Sequence, residues 1–157
     1  MNIRNAEKRD VPRLLSILLQ VNNIHAEGRP DIFKKNMTKY TSAQLEEIIE
    51  SGDMTIFVAT DECDQCVGYA FCKFSTVEDG TNLVPMKSVY IDDLCVDGAL
   101  RGQGIGKLLF DYVLLKARNM GCYNLTLNVW AFNNGAKKFY EKSGMTPLKT
   151  VMEMKLE

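Results

Sequence analysis

Apolar residues recur at helical spacing in four segments of the chain. These segments are residues 10–25, 41–52, 104–120 and 133–143. The recurrence at i, i+3 and i+4 predicts amphipathic helices, which begin at capping residues such as Asp10 and end near glycines such as Gly52, Gly121 and Gly144. The third segment is apolar around most of its circumference, which predicts that this helix is buried against a sheet.

Six other segments have the pattern of β-strands. They are residues 1–5, 54–59, 67–77, 87–96, 123–130 and 147–156, several of which alternate between apolar and polar positions. Because the third helix joins the fourth and fifth of these strands by a crossover, those two strands are predicted to be parallel. Residues 78–85 are predicted to form a polar connection. Residues 21–40 are irregular but carry apolar anchors, which is typical of a loop that shapes a pocket.

The strand that ends at Val96 is followed by the glycine-rich stretch Arg101-Gly102-Gln103-Gly104-Ile105-Gly106 and then directly by the third helix. The first N–H groups of a helix have no partner within the helix, and the helix dipole is positive there. Glycines let an anion come close to the backbone. The order of strand, glycine turn and helix therefore predicts a phosphate site, with an ordinary glycine-rich turn as the alternative.

Two common phosphate loops do not fit this stretch. The dinucleotide motif G-x-G-x-x-G needs a glycine where this chain has Lys107. The motif G-x-x-x-x-G-K-[ST] needs a glycine where Arg101 stands and a hydroxyl where Leu108 stands. A domain that binds ATP or NAD is therefore disfavoured.

Composition limits the number of domains, the partners and the compartment that can be expected. A length of 157 residues predicts one domain, and a net charge of −1 argues against nucleic acid or an anionic membrane as the main partner. No apolar run approaches the length of a membrane span. The five cysteines, an odd number without a recognisable leader peptide, predict a reduced cytoplasmic protein. Cys63 and Cys66 have the C-x-x-C spacing, but they lack a second such pair, so no metal is expected.

The glycine loop resembles the acyl-CoA pyrophosphate loop, Q/R-x-x-G-x-G/A, of the GNAT superfamily of acetyl-CoA-dependent N-acetyltransferases. The segment from Asn133 to Gly144, with Ala136, Phe139 and Tyr140, resembles the second cofactor segment of the same family. The order of elements agrees with the family across nearly the whole chain. The resemblance implies an α/β (α+β) fold over residues 1–157. Its sheet is mixed and mostly antiparallel, with about seven strands, about four flanking helices, and fourth and fifth strands that are parallel and splayed.

The resemblance also implies where acetyl-CoA binds. The pyrophosphate is expected at the loop, and the pantetheine arm is expected between the fourth and fifth strands, where it pairs with a strand edge as a peptide does. The residues expected to hold acetyl-CoA are Leu94, Cys95, Val96, Arg101, Gly102, Gln103, Gly104, Ile105, Gly106, Lys107, Asn133, Ala136 and Tyr140.

Three residues are expected to act in catalysis. Tyr140 maps to the tyrosine that donates a proton to the leaving thiolate, and the backbone N–H of Leu94 is expected to face the thioester oxygen. Asp92 and Asp93 are unusual acids in an apolar strand. In a regular strand they point to opposite faces. Asp92 is favoured as the base, directly or through a water, and Asp93 as a group that binds the amine or pairs with a basic neighbour.

The sequence does not identify the acceptor. His25, Arg29 and Asp31, in the irregular segment, are candidate contacts to the acceptor, with loop packing as the alternative. Asp92 and Asp93 would suit a cationic amine, and a peptide amine remains open. Direct attack by the amine is the family norm, although Cys95 is an alternative nucleophile. The leading function is therefore an N-acetyltransferase, and the alternative is a non-catalytic acyl-CoA binding module. A homodimer through the last strand is also compatible with the family.

Overall fold

A five-stranded sheet forms the centre of the computed structural model, which describes residues 1–80 and 82–156. In chain order the strands are β1 (Asn2–Asn5), β2 (Thr55–Thr60), β3 (Cys66–Val77), β4 (Met86–Val96) and β5 (Asn124–Leu127). This is also their order in the sheet. β1 to β4 pair antiparallel, whereas β4 and β5 pair parallel. The predicted mixed, mostly antiparallel sheet with a parallel fourth and fifth strand is confirmed.

Four α-helices flank the sheet in the described part of the chain. They are α1 (Val11–Gly28), α2 (Ser42–Ser51), α3 (Ile105–Asn119) and α4 (Asn134–Lys142). Thr41 caps α2, since its side chain accepts a hydrogen bond from the Gln44 N–H, and Gly52 ends this helix at φ +71°. α1 continues past its predicted end at residues 22–25, because Ala26 is fully buried and packing extends the helix.

The two faces of the sheet carry separate apolar cores. α1 and α2 cover one face, where Leu14, Leu18 and Leu45 pack on inward-facing residues of β2 and β3. α3 covers the other face, where Leu109 and Phe110 are buried. The sheet is therefore the middle of three layers, and a site at its edge can be reached from both sides.

The expectation of about seven strands is wrong, because the described sheet has five. Residues 147–156, predicted as a closing strand, are not assigned to any strand, and β5 is shorter than the predicted 123–130. The physical reason is that β5 pairs with β4 through four residues and has no strand on its outer edge within the described residues. Thr81, in the predicted connection 78–85, and Glu157, at the end of the predicted domain, lie outside the described residues.

Candidate functional site

A gap opens in the sheet between β4 and β5. Their ladder runs only from the Ser88 and Asn124 pair to the Ile91 and Leu127 pair. β4 continues to Val96, but β5 ends at Leu127. The last residues of β4 therefore have no strand partner on the β5 side, which is the splayed arrangement that the resemblance implies.

A bulge in β4 lies at the start of this gap. Phe71 of β3 is opposite Asp93, and the next residue, Cys72, is opposite Ile91, so Asp92 is the extra residue of β4. A bulge interrupts the alternation of side chains and redirects them. The two neighbouring carboxylates consequently interact, since the charge of Asp92 contributes to raising the pKa of Asp93.

The Asp92 carboxylate is bound by an ammonium group from the loop before α2. Lys39 Nζ lies 2.5 Å from Asp92 Oδ2, and the Tyr40 hydroxyl lies 3.5 Å from the same oxygen. The Tyr40 ring stacks on Phe71 at a centroid distance of 5.7 Å, which fixes this loop against the sheet. The Asp92 side chain keeps 21% of its exposure, so an amine from solution can reach it.

Asp93 is only partly exposed. The Tyr69 hydroxyl donates a hydrogen bond to its carboxylate at 2.9 Å. Burial raises the pKa of Asp93 to about 6, although the Tyr69 hydrogen bond, the charge of Lys39 and the Leu94 amide act in the opposite direction. Asp93 therefore titrates close to neutral pH.

Cys95 is buried two residues further along β4. Burial and the nearby Asp93 raise the pKa of its thiol to about 11, and the Arg101 guanidinium, 3.6 Å from Sγ, acts in the opposite direction. The thiol is therefore protonated at neutral pH. Because the thiolate is the nucleophilic form, this environment disfavours the alternative in which Cys95 accepts the acyl group.

Tyr140 reaches this region from α4. Its ring packs on Phe110 and Phe139, with centroid distances of 5.9 and 5.0 Å. Burial raises the pKa of the phenol well above its usual value near 10, and the charges of Asp93 and Cys95 add to the effect. The phenol is therefore neutral at physiological pH. Asn133 caps α4, since its side-chain oxygen accepts the Ala136 N–H at 3.1 Å.

The glycine loop has the backbone that its sequence predicts. Gly102 and Gly104 have φ +79° and +81°, a region that favours glycine. The Gly104 carbonyl accepts the Leu108 N–H, and in the described residues no hydrogen-bond partner is found for the backbone N–H groups of residues 102–107. The N-terminus of α3 therefore presents a group of free donors.

The two cations of the loop are engaged by the protein. Arg101 donates to the Val96 carbonyl at 3.1 Å and contacts Cys95, so it ties the loop to the end of β4. Lys107 pairs with Asp111 one turn along α3. The free anion donors of this loop are consequently main-chain N–H groups, whereas the two side chains have other partners.

His25 and Arg29 are in different surroundings. His25, in the last turn of α1, lies in an aromatic cluster with Phe33, Trp130 and Phe132. Its pKa is lowered by burial and by the charge of Lys39. Arg29 instead binds Asp31 and Glu153, each at 2.8 Å, at the C-terminal segment of the chain.

Four residues at the site were not predicted: Lys39, Tyr40, Tyr69 and Trp130. Lys39 and Tyr40 lie within residues 21–40, which had been identified as a pocket-shaping loop, but no motif singled them out. Tyr69 is an inward-facing aromatic of β3, and only its hydroxyl contact with Asp93 distinguishes it from a core residue.

The cysteines form no disulfide in the structure. Cys63 is exposed, Cys66 is buried, and all five cysteines are free. No group of three or more metal-binding side chains is found in this part of the chain. Nor is any helix in it both long enough and apolar enough to cross a bilayer.

Known proteins were compared with this chain. Residues 18–145 match the model of the acetyltransferase (GNAT) family. The chain is 37% identical over 60 residues to a glucosamine 6-phosphate N-acetyltransferase of Arabidopsis thaliana and 31% identical over 104 residues to the peptidyl-lysine N-acetyltransferase YjaB of Salmonella typhimurium. These matches cover 38% and 65% of this chain, and they span only 38% and 59% of the length of the two relatives.

Among solved structures, a mutant of the BH1408 protein from Bacillus halodurans is similar over the whole chain. Its TM-score is 0.94 and its sequence identity 30%, with 100% of both chains covered. The family match covers most of the sequence and includes the glycine loop, the gap and α4. The chain therefore belongs to the acetyltransferase (GNAT) family.

Proposed function

We propose that this protein is an N-acetyltransferase that transfers the acetyl group of acetyl-CoA to a primary amine by direct attack in a ternary complex. The observation that supports the proposal is the gap between β4 and β5: Asp92 and Asp93 border it, the charge of Asp93 acts on the Tyr140 phenol, and the loop tied to the end of β4 by Arg101 has free N–H groups. A non-catalytic binding module would need the free N–H groups but not the acid and phenol.

Acetyl-CoA fits the chemistry of this region. The unpaired N–H groups of residues 102–107 suit the pyrophosphate, and the unpaired edge of β4 at Leu94, Cys95 and Val96 suits the two amides of pantetheine. Ala136, together with Asn133 at the start of α4, would line the other side of the gap. Gln103, Ile105 and Gly106 contribute through the backbone of the loop. Arg101 holds the loop in place, and Lys107 adds charge near it.

Each catalytic requirement has a candidate residue. Asp92 takes the proton from the ammonium, because it is the acid that solution can reach. The Leu94 N–H stabilises the oxyanion, a contribution typically about 2.7–4 kcal/mol in the transition state. As the nitrogen–carbon bond forms and the carbon–sulfur bond breaks, Tyr140 gives its proton to the departing thiolate. Asp93 is a second acid next to the proposed base.

The acceptor is proposed to be a cationic amine. Lys39 already places a primary alkylammonium on Asp92, and this contact supports a cationic acceptor at the same carboxylate. The named relatives act on an amino sugar phosphate and on peptidyl lysine. A small cationic amine, such as a polyamine or an amino sugar, and a peptide lysine are therefore the acceptor types to test first. His25 and Trp130 would contact the apolar part of the acceptor, and Arg29 would lie further out.

The reducing cytoplasm is the proposed location, because all five thiols are free and three of them, Cys66, Cys72 and Cys95, are buried.

The test is thiol release from acetyl-CoA in the presence of a panel of amines. We expect acceptor-dependent release. We also expect the variant Tyr140→Phe to lower kcat by about 10²–10⁴-fold, the usual contribution of a general acid, while the dissociation constant of CoA is retained. Phe139→Leu, which changes the neighbouring ring without removing a proton donor, is the control. Tight CoA binding without release for any amine would support the non-catalytic module instead.

A further inference from the structure

The loop before α2 brings a lysine of this chain to the proposed base. Lys39 Nζ lies 2.5 Å from Asp92 Oδ2. Among the lysines that form ion pairs in the described residues, Lys39 is the one whose partner belongs to β4. The acids paired with the other three lysines are between 43% and 61% exposed, compared with 21% for Asp92. A primary amine of the protein itself therefore occupies the position proposed for the acceptor amine.

Contacts of the neighbouring residues hold Lys39 at this position. The Tyr40 ring stacks on Phe71 of β3, and the Tyr40 carbonyl accepts a hydrogen bond from the Thr38 hydroxyl at 2.8 Å. The Lys39 ammonium also lies 5.5 Å from the centroid of the Tyr40 ring, within the range of a cation–π contact. The ammonium consequently reaches Asp92 from a segment that packs on the sheet, which favours a reproducible approach to the gap.

The acetyl group of a bound acetyl-CoA would be within reach of this amine. Leu94, whose N–H is the proposed oxyanion donor, follows Asp92 by two residues along β4, a separation of about 6–7 Å in a strand. The Lys39 side chain is 50% exposed and has a long flexible stem. Rotation of this side chain alone can therefore bring Nζ from the carboxylate to the acetyl carbon, without movement of the sheet.

We propose that Lys39 is an acetylation site and that each chain modifies its own Lys39 with acetyl-CoA bound in its gap. This inference rests on the proposed function, since it uses the same base and the same acetyl donor. Asp92 removes a proton from the ammonium, and the Nζ lone pair attacks the acetyl carbonyl carbon. The nitrogen–carbon bond forms as the carbon–sulfur bond breaks. Of the three ammonium protons, one stays on the amide nitrogen, one replaces the proton that Tyr140 gives to the thiolate, and one passes through Asp92 to solvent.

The modification opens the proposed base to other amines. An acetylated lysine is a neutral amide, so it no longer forms an ion pair with Asp92. A cationic acceptor from solution then has no internal competitor for this carboxylate. Because Asp92 holds Lys39 in its charged form, self-acetylation is slower than transfer to a free amine, and initial rates with an added amine report the unmodified chain. Self-acetylation is therefore a slow activating step.

Incubation of the full chain with isotopically labelled acetyl-CoA, without an added amine, tests the proposal. Ion exchange first isolates the unmodified chain, which carries one more positive charge, and peptide mass spectrometry then follows each lysine. Lys35, an exposed lysine of the same loop, is the internal control for uncatalysed acetylation. We expect Lys39 to be labelled faster than Lys35 by about tenfold or more, because the base and acid act on Lys39 alone. Tyr140→Phe should remove this preference, whereas Lys8→Gln, which changes an ion pair with Glu50, should keep it.

Acetic anhydride, used without acetyl-CoA, separates intrinsic reactivity from catalysis. Half-burial lowers the pKa of Lys39, but the hydrogen bond and the charge of Asp92 outweigh it, so the pKa is raised and the unreactive ammonium is favoured. Lys39 should therefore react with the anhydride more slowly than Lys35, the opposite of the order with acetyl-CoA. Asp92→Asn should speed the labelling of Lys39 by the anhydride and slow its labelling by acetyl-CoA. The same order of the two lysines with both reagents would overturn the proposal.

The outcomes separate this inference from the proposed function. Acetylation of an added amine without excess labelling of Lys39 would overturn the inference and leave the N-acetyltransferase in place. No transfer to Lys39 or to any amine would overturn both. A rate constant for Lys39 labelling that is independent of protein concentration supports modification within one chain. A rate constant that rises with protein concentration would mean that one copy modifies another, which contradicts the proposal.

Discussion

Asp93 is a partly buried acid of β4 beside the gap in the sheet. Its only direct side-chain partner among the described residues is the Tyr69 hydroxyl. A neutral phenol compensates less for the loss of water than a cation would, so burial dominates and the pKa rises to about 6 from 3.8. Such an acid costs folding free energy, which is typical of a group kept for function.

The variant Asp93→Asn should remove this cost. Because the pKa is raised in the folded protein, the stability that Asp93 contributes is complete below pH 3.8 and is lost as the pH rises through 6. The stability gained by the variant should therefore increase by about 2 kcal/mol between pH 4.5 and pH 8. Urea unfolding at both pH values measures this difference, with Asp53→Asn as the control. A stability gain of the variant that becomes smaller as the pH rises would contradict the raised pKa of Asp93.

Lys39 competes with a cationic acceptor for Asp92, if the proposed function is correct. The variant Lys39→Gln should therefore lower the KM for a cationic amine by about two- to fivefold, the range that corresponds to a partly exposed ion pair. Lys8→Gln is the matched control, because Lys8 pairs with Glu50 on α2, in a contact that does not involve Asp92. Steady-state kinetics with the best acceptor provide the measurement. A KM that rises would mean that Lys39 contacts the acceptor instead of displacing it.

At the scale of elements, the sequence pattern predicts the features that depend on residues close together in the chain. The start of α2 at Thr41 and Ser42 and its end at Gly52 follow from capping chemistry, and the structure has both. The crossover through α3 makes β4 and β5 parallel, as the order of elements predicts. Here the residues that determine the structure are close together in the sequence.

Features that depend on distant residues were not predictable. The bulge at Asp92 exists only in the register with β3, and the Lys39 contact joins residues 53 positions apart. Residues 147–156 have the alternation of a strand, but a strand also needs a hydrogen-bonded neighbour, and the described residues form no such pairing for this segment. Alternation alone therefore does not decide whether a segment joins a sheet.

The loop before α3 allows a prediction with a close internal control. Gly104 and Gly52 both have positive φ, +81° and +71°, and a Cβ added at either would meet nothing within 4 Å. Gly104→Ala and Gly52→Ala should therefore each cost about 1–2 kcal/mol of stability from backbone strain. Only Gly104→Ala should weaken CoA binding, by about tenfold or more, because it changes the backbone that directs the free N–H groups. Isothermal titration calorimetry measures the affinity of each variant for CoA. Equal affinities would mean that the loop does not bind CoA.

For the whole molecule, the site exists only when separate parts of the fold are assembled. Its acids come from β4, its free donors from the start of α3 and its phenol from α4. These residues extend from 92 to 140 in the sequence and meet only when the sheet and its α3 layer are formed. A ligand that uses all three parts binds the folded chain and not the unfolded one, so its binding must stabilise the whole fold.

This coupling predicts the thermal response of the protein to ligands. CoA at 100 times its dissociation constant should stabilise the fold by about 2.7 kcal/mol, which for a chain of this length raises Tm by about 5–10 °C. In Gly104→Ala the same concentration should give about half that shift, because a tenfold weaker site is then at only ten times its dissociation constant. Gly52→Ala should start from a lower Tm but keep the full shift. ATP and NAD at equal concentration should leave Tm unchanged, since the glycine spacing fits neither of their loops. A shift with either nucleotide and none with CoA would overturn the assignment of the cosubstrate while leaving the fold intact.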